Sequence, residues 1–336
     1  MRAITRPLAD LVDHQIDLND VAGSDGYLFV RDGVGLAGRG CARRVPIDDA
    51  VAVLASIEHD STVDGTAPIG IGGVGFLPGA AGEIVIPEVT VVKRGDRTWV
   101  TAVDGADVTA ALRPPVEPEP VAARWSIEPL VAESHYLDAV ASARDAVRDG
   151  QLTKAVIARP IRVSSDEPMS IHAVLRRLKG SFGSSYRYSI DGLVGASPEL
   201  LVEVDGAVVR SHPLAGTTPR TGDVDNDARL AAELQASRKN QIEHRVVIDD
   251  VHDRLLPWAS YLDWEPEPSI VTVANVQHLG TRMEGMLSQP APSVVELVRA
   301  LSPTPALGGH TRVEALALIE LVEGFVRGRY GGAVGW

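Results

Sequence analysis

Apolar positions along the first third of the chain fall in short runs. Over residues 26–30, 83–92 and 98–103, β-branched and aromatic side chains cluster between Gly, Asp and Pro, which predicts strands. After a proline-rich stretch the period changes. Residues 134–148 carry Leu137, Val140, Ala141, Ala143 and Val147 at helical spacing and stop at Gly150, so a helix is predicted there with those residues as its apolar face. A strand over 153–163 comes next, then a helix over 170–178, a strand pair at 186–194 and 200–204, and another strand at 207–213. The longest helix is predicted over 225–256, stopped by Pro257; a strand near 270–276 and helices over 294–301 and 312–326 come last. Strands adjoin strands and helices come late, so the pattern predicts α+β with antiparallel sheets rather than alternation of strand and helix.

The run RPPVEPEP at 113–120 is incompatible with helix and reads as a connector. It separates an N-terminal part, residues 1–112, from residues 121–336. A length of 336 residues is enough for about two domains or one large one, and for a core without disulfide or metal staples. The single cysteine, Cys41, excludes an intramolecular disulfide and a Cys-based zinc site. With 32 basic against 45 acidic residues the net charge is −13, which disfavours a nucleic-acid or anionic-membrane surface. Asp10 and Asp13 interrupt the N-terminal segment where a signal peptide would be apolar, and no run reaches the ~18 apolar residues of a membrane span. A cytoplasmic protein is expected. Only four of the basic residues are lysines, Lys93, Lys154, Lys179 and Lys239, which directs attention to positions where an amine that can lose its proton is needed.

Candidate chemistry is scattered. Gly70, Gly72 and Gly75 satisfy the dinucleotide-binding spacing, but the Phe76-Leu77-Pro78-Gly79 after them cannot open a helix, so a strand and turn is expected instead. Lys154, in TKAVIARP, shares a strand face with Val156 and Ala158, and burial there would make it a usable base; a solvated strand-edge lysine is the alternative. Glu199, in GASPELL, is either a solvated turn carboxylate or, held between apolar strands, a protonated general acid. Glu243 and His244 lie mid-helix; Glu243 either pairs with Lys239 one turn earlier or ligates Mg²⁺. In HPLAGTTPR, Gly216 and Thr217 form either a plain turn or a close approach to a carboxylate.

Together these segments resemble the chorismate-utilising enzymes and, within them, the isochorismate synthases. The matching pieces are TKAVIAR, GASPELL, PLAGT, ASRKNQIEH, QHLGTRMEG, LSPTPALGG and GRYGGAVGW, in the family's order from about residue 125 to 336. The resemblance implies two large, mostly antiparallel sheets packed face to face with helices outside, the dicarboxylate substrate chorismate, and Mg²⁺. By it, Lys154 falls on a general base that activates water for attack at ring C2, and Glu199 on a general acid that protonates the departing C4 hydroxyl. Glu243 falls on a Mg²⁺ ligand; Gly216, Thr217, His278 and Ala306, the last in PTPAL, fall beside the substrate. Similar anthranilate synthases carry Gln where this chain has Lys154, and aminodeoxychorismate synthases carry a nucleophilic Lys where it has Ala215. Water is thereby the implied nucleophile, shared by isochorismate and salicylate synthases; PTPAL looks more like the former. Isochorismate would feed menaquinone or siderophore synthesis. A monomer or weak homodimer is expected. Members of the family continue past the segment matching residues 333–336 with a substrate-binding Arg, further acidic Mg²⁺ ligands and a second Lys. On that basis the chain as it stands is expected to bind Mg²⁺ weakly and turn over little, and a non-catalytic relative is a further alternative.

Overall fold

The computed structural model describes residues 1–113 and 124–336; the connector expected at 113–120 lies, apart from Arg113, outside the described residues. The largest sheet has eight strands, in the order Leu193–Ser197, Tyr186–Ile190, Tyr27–Arg31, Val34–Arg39, Val89–Arg94, Arg97–Val103, Arg2–Pro7 and Glu58–Ser61. Neighbours are antiparallel except the last pair, in which Arg2 to Thr5 run parallel to Glu58 to Ser61. Two strands from beyond the connector thus join strands from before it, with Arg187 opposite Val30 and Tyr188 opposite Phe29.

Both faces of this sheet are covered, which is why residues 89–92 are all buried, Thr90 included, instead of alternating. On one face Leu28, Val30, Val91 and Val100 pack with Leu18 and Val21 of helix Leu18–Ala22 and Leu175 of helix Ile171–Phe182. On the other, Leu36, Val92, Trp99 and Ile190 meet Ile71 and Val85. Those two belong to a second sheet, Val334–Gly335, Ile71–Val74, Gly82–Ile86 and Arg43–Pro46, laid against the first.

The later part of the chain builds a four-stranded sheet (Leu200–Asp205, Val208–His212, Met283–Leu287, Ala259–Trp264) and a three-stranded one (Leu214–Pro219, Val276–Gly280, Ser269–Thr272). Helices Arg238–Leu255 and Val294–Leu301 contribute Val247, Val251, Leu255, Leu297 and Leu301 to a core with Val209, Met283 and Leu287. Each such burial is worth roughly 1.5–3 kcal/mol before the entropy of ordering is counted. The chain is α+β and mostly antiparallel, as its pattern of apolar positions predicts.

Three local expectations are corrected. The helix expected over 225–256 is two helices, Val224–Ala236 and Arg238–Leu255, because Ser237 turns to φ −72°, ψ 105° and its side chain accepts from Asn240 N–H as an N-cap. The strand expected over 153–163 is two pieces, Lys154–Ala155 and Ile161–Ser165. Between them Ala158 N–H donates to the Glu323 carboxylate and Pro160 has no N–H to give, so the ladder cannot run through. A common strand face for Lys154, Val156 and Ala158 therefore does not form. Helix Glu133–Arg148 forms where expected, but it buries Ala139, Ala143 and Ala146 and leaves Leu137, Val140 and Val147 exposed. The strand expected around Gly72 in place of a phosphate loop is present, and a Cβ there would lie 2.0 Å from the Glu83 carbonyl oxygen.

Candidate active site

Lys154 stands on a strand of two residues, Lys154–Ala155, paired antiparallel with Gly309–His310. Thr153 N–H donates to His310 C=O at 2.7 Å and Val156 N–H to Gly308 C=O at 2.9 Å, extending the grip on either side. Close pairing needs glycine at 309: its φ is +148°, and a Cβ would meet the Lys154 carbonyl oxygen at 2.2 Å. The LSPTPALGG loop thereby holds the backbone of the lysine. Its Ala306 is half-buried and packs against the core of the later sheets.

The Lys154 ammonium lies 3.0 Å from Glu243 Oε1, with the two side chains 15% and 34% exposed. The ion pair that Glu243 makes among the described residues is with this distant lysine, not with Lys239 one turn before it. His244, next on helix Arg238–Leu255, is buried and its Nε2 is 2.8 Å from Thr281 Oγ1. Burial, with His212 and Lys154 nearby, pushes His244 down to about 4 despite the opposing Glu243 carboxylate, so the imidazole is neutral. Desolvation lowers His212 as well.

Glu199 lies between strands Leu193–Ser197 and Leu200–Asp205, where the chain passes from the eight-stranded sheet to the four-stranded one. The residue is half-buried by surface, but its carboxyl is enclosed by protein, and desolvation pushes its pKa up to about 7. The positive charge of Lys154 and the Leu214 backbone N–H oppose that rise without cancelling it. A carboxyl of this kind carries its proton for about half the time at neutral pH, as a general acid requires.

Thr217 and His278 face each other across the strand pair Leu214–Pro219 and Val276–Gly280, with Thr217 Oγ1 3.0 Å from His278 Nδ1. The register shifts between Ala215 and Thr217, and Gly216 takes φ +78° at that irregularity. Burial lowers His278, while a hydrogen bond with the Gly216 backbone opposes the shift.

Lys154 and Glu243 are therefore in contact from a strand and a helix, Glu199 lies close enough for the Lys154 charge to act on its carboxyl, and Thr217 and His278 form a second contact pair on the adjoining sheet. Sequence reasoning missed Thr281 and the buried Glu323–Arg327 pair, whose side chains are 1% and 4% exposed. Glutamate and arginine four apart at a helix end look like a solvated surface pair; only tertiary packing buries them. A depression of about 1270 Å³ lined by Leu8, Val12, His14, Lys93 and Arg97 shares no residue with this group. The described residues do not by themselves fit a metal ion. No group of three His, Cys, Asp or Glu side chains among them is placed to hold one, and the Glu243 carboxylate is already engaged by an ammonium.

An amine, a carboxyl titrating near neutrality and neutral imidazoles, set where antiparallel sheets meet, are the equipment of an acid–base enzyme. The chain belongs to the chorismate binding enzyme family, whose model matches residues 55–336. It is 36% identical over 286 residues to a Mycobacterium tuberculosis protein described as "Putative isochorismate synthase MenF", covering 81% of this chain and 72% of that one. With the isochorismate synthase DhbC of Bacillus subtilis it shares 36% identity over 223 residues, 63% of this chain and 56% of the relative. The menaquinone-specific isochorismate synthase MenF of Escherichia coli has the same fold, with a TM-score of 0.84 at 23% identity over 99% of this chain and 81% of that one.

Proposed function

We propose that the protein is an isochorismate synthase, converting chorismate to isochorismate by adding water at C2 and expelling the C4 hydroxyl. The observation that carries this is the grouping of Lys154, Glu199 and Glu243, with Glu199 raised to about 7, in a member of this family. Lys154 takes the proton of the attacking water, and Glu199 gives one to the leaving hydroxyl, so water is consumed at one carbon and released at the other. Lys154 acts as the base while Glu243, 3.0 Å from its amine, holds it in place. Thr217, Gly216, His278 and Ala306 line the substrate side, where the neutral His278 and the Thr217 hydroxyl offer hydrogen bonds without adding charge.

A Mg²⁺ requirement rests on the family likeness alone: Glu243, the ligand that the likeness implies, would have to leave Lys154 to join a metal ion; the proton transfers of Lys154 and Glu199 are not routed through a cation. A cytoplasmic monomer or weak homodimer acting on a small molecule, without nucleic acid or membrane partners, completes the proposal. No helix of the described residues is long and apolar enough to cross a membrane. The test is chorismate turnover by the full-length protein with added Mg²⁺, products separated by chromatography. Isochorismate is expected; salicylate with pyruvate, or anthranilate on adding ammonia, contradicts the assignment.

A further inference from the structure

The Lys154–Ala155 strand has too few ladder bonds to fix a side chain by itself, and a second set of contacts takes over where it ends. Glu323 Oε1 accepts from Ala158 N–H at 2.7 Å, and Arg327 Nη2 donates to Val156 C=O at 2.6 Å. Arg327 Nη1 donates to Leu307 C=O at 3.0 Å, beside Ala306 in the PTPAL loop. The two side chains are bound to each other, Arg327 Nε donating to Glu323 Oε2 at 2.8 Å and a second contact joining Nη2 to Oε1. The guanidinium also lies over the Phe76 ring, 4.2 Å from its centroid, and Phe76 N–H donates to Gly328 C=O. One buried ion pair thus ties together the segment after Lys154, the loop that pairs with Lys154, and the N-terminal part of the chain.

A buried pair of this kind gains little over apolar packing, so its presence asks for a reason other than stability. The planar fork of arginine supplies one, because it reaches two carbonyls on separate segments with fixed geometry, which an ammonium on a flexible stem cannot do. We infer that Glu323 and Arg327 are positioning residues, holding the segments on both sides of Lys154 in the register that places its amine against Glu243. Neither touches the reacting groups. The inference deepens the proposed function and rests on it for its kinetic consequences, but the placement of Lys154 is measurable without turnover.

Removing Arg327 outright would leave Glu323 unpaired in the interior and could unfold the chain, so the informative change is Arg327→Lys, which keeps the charge and loses the double carbonyl contact. A misplacement of about 1 Å costs up to ~10²-fold in rate, so kcat is expected to fall ~10- to 100-fold with KM for chorismate within about threefold. Independently, acetic anhydride labelling read by mass spectrometry tracks each of the four lysines, with Lys93 and Lys239 as internal references. In Arg327→Lys, Lys154 is expected to react several-fold faster than in wild type, freed from Glu243, while the reference lysines are unchanged. Phe76→Leu removes the ring under the guanidinium and keeps the backbone hydrogen bonds, so its Lys154 labelling is expected to match wild type. Unchanged Lys154 labelling in Arg327→Lys overturns the inference. So does parallel acceleration of every lysine with a lowered melting temperature, which marks a merely structural role, and so does an equal effect from Phe76→Leu. A wild type that does not act on chorismate contradicts the proposed function, and the labelling comparison still decides the positioning role.

Discussion

Glu199 carries the sharpest physical consequence of any single residue in the site. Burial holds it protonated to about pH 7, whereas the same side chain ionises near 4.5 when freed from the fold. Between those values the folded chain binds more protons than the unfolded one, so Glu199 makes stability fall as pH rises through that window. The full effect is roughly 3 kcal/mol as an upper figure, since a tenfold change in proton affinity is worth about 1.4 kcal/mol. Glu199→Gln is therefore expected to be more stable than wild type at about pH 8 and to lose that advantage near pH 4.5, read by urea unfolding at both. The same variant should lose about 10²–10⁴-fold in turnover, because an amide delivers no proton. Wild-type kcat should decline above about pH 7 as the acid ionises. Equal unfolding differences at the two pH values would show that the carboxyl is not held in a desolvating environment. Lys154→Ala should cost a similar factor in kcat with chorismate binding changed only a few-fold; a loss under about tenfold removes Lys154 as the base.

Among the elements, the short strand at Lys154 depends most on one neighbour. Gly309→Ala would put a Cβ 2.2 Å from the Lys154 carbonyl oxygen and 3.0 Å from Ala155 Cα, both backbone atoms that cannot turn aside. It is expected to cost on the order of 1–3 kcal/mol and to lower kcat more than an equally destabilising change elsewhere. Melting temperature and kcat measured together check this; an intact kcat would mean that the pairing does not position the lysine. Elements are legible in the sequence where period and punctuation are local. The helix ending at Gly150, the strand at 98–103 and the capped helix at 294–301 are readable for that reason. The break at Ser237 is not, since serine interrupts a helical pattern only when its side chain caps the next turn. The break after Ala155 is legible only in part: Pro160 marks it, but the side chains that hydrogen-bond the backbone there, Glu323 and Arg327, lie more than 160 residues on. The motifs locate Lys154, Glu199 and Glu243 one by one, but their convergence is a tertiary fact, visible only once helix Arg238–Leu255 is laid across the later sheets.

At the scale of the whole molecule, the parts on either side of the connector share sheets. Strand Tyr186–Ile190 completes itself against Tyr27–Arg31, Val334–Gly335 pairs with Ile71–Val74, and Arg44 grips Asp191 through two hydrogen bonds at 2.6 and 2.7 Å. Residues 124–336 expressed without 1–113 are therefore expected to lack native structure, as seen by near-ultraviolet circular dichroism; a folded fragment would show that the shared sheets are dispensable. The central claim is that Lys154 and Glu199 add a water at C2 of chorismate and release the C4 hydroxyl as a second water within one site. It is tested most directly by giving the full-length protein chorismate and Mg²⁺ in ¹⁸O-labelled water and reading the product by mass spectrometry. Isochorismate carrying one labelled hydroxyl at C2, formed by wild type and abolished in Lys154→Ala and Glu199→Gln, is the predicted result. Isochorismate without label, or turnover that survives both substitutions, would contradict it.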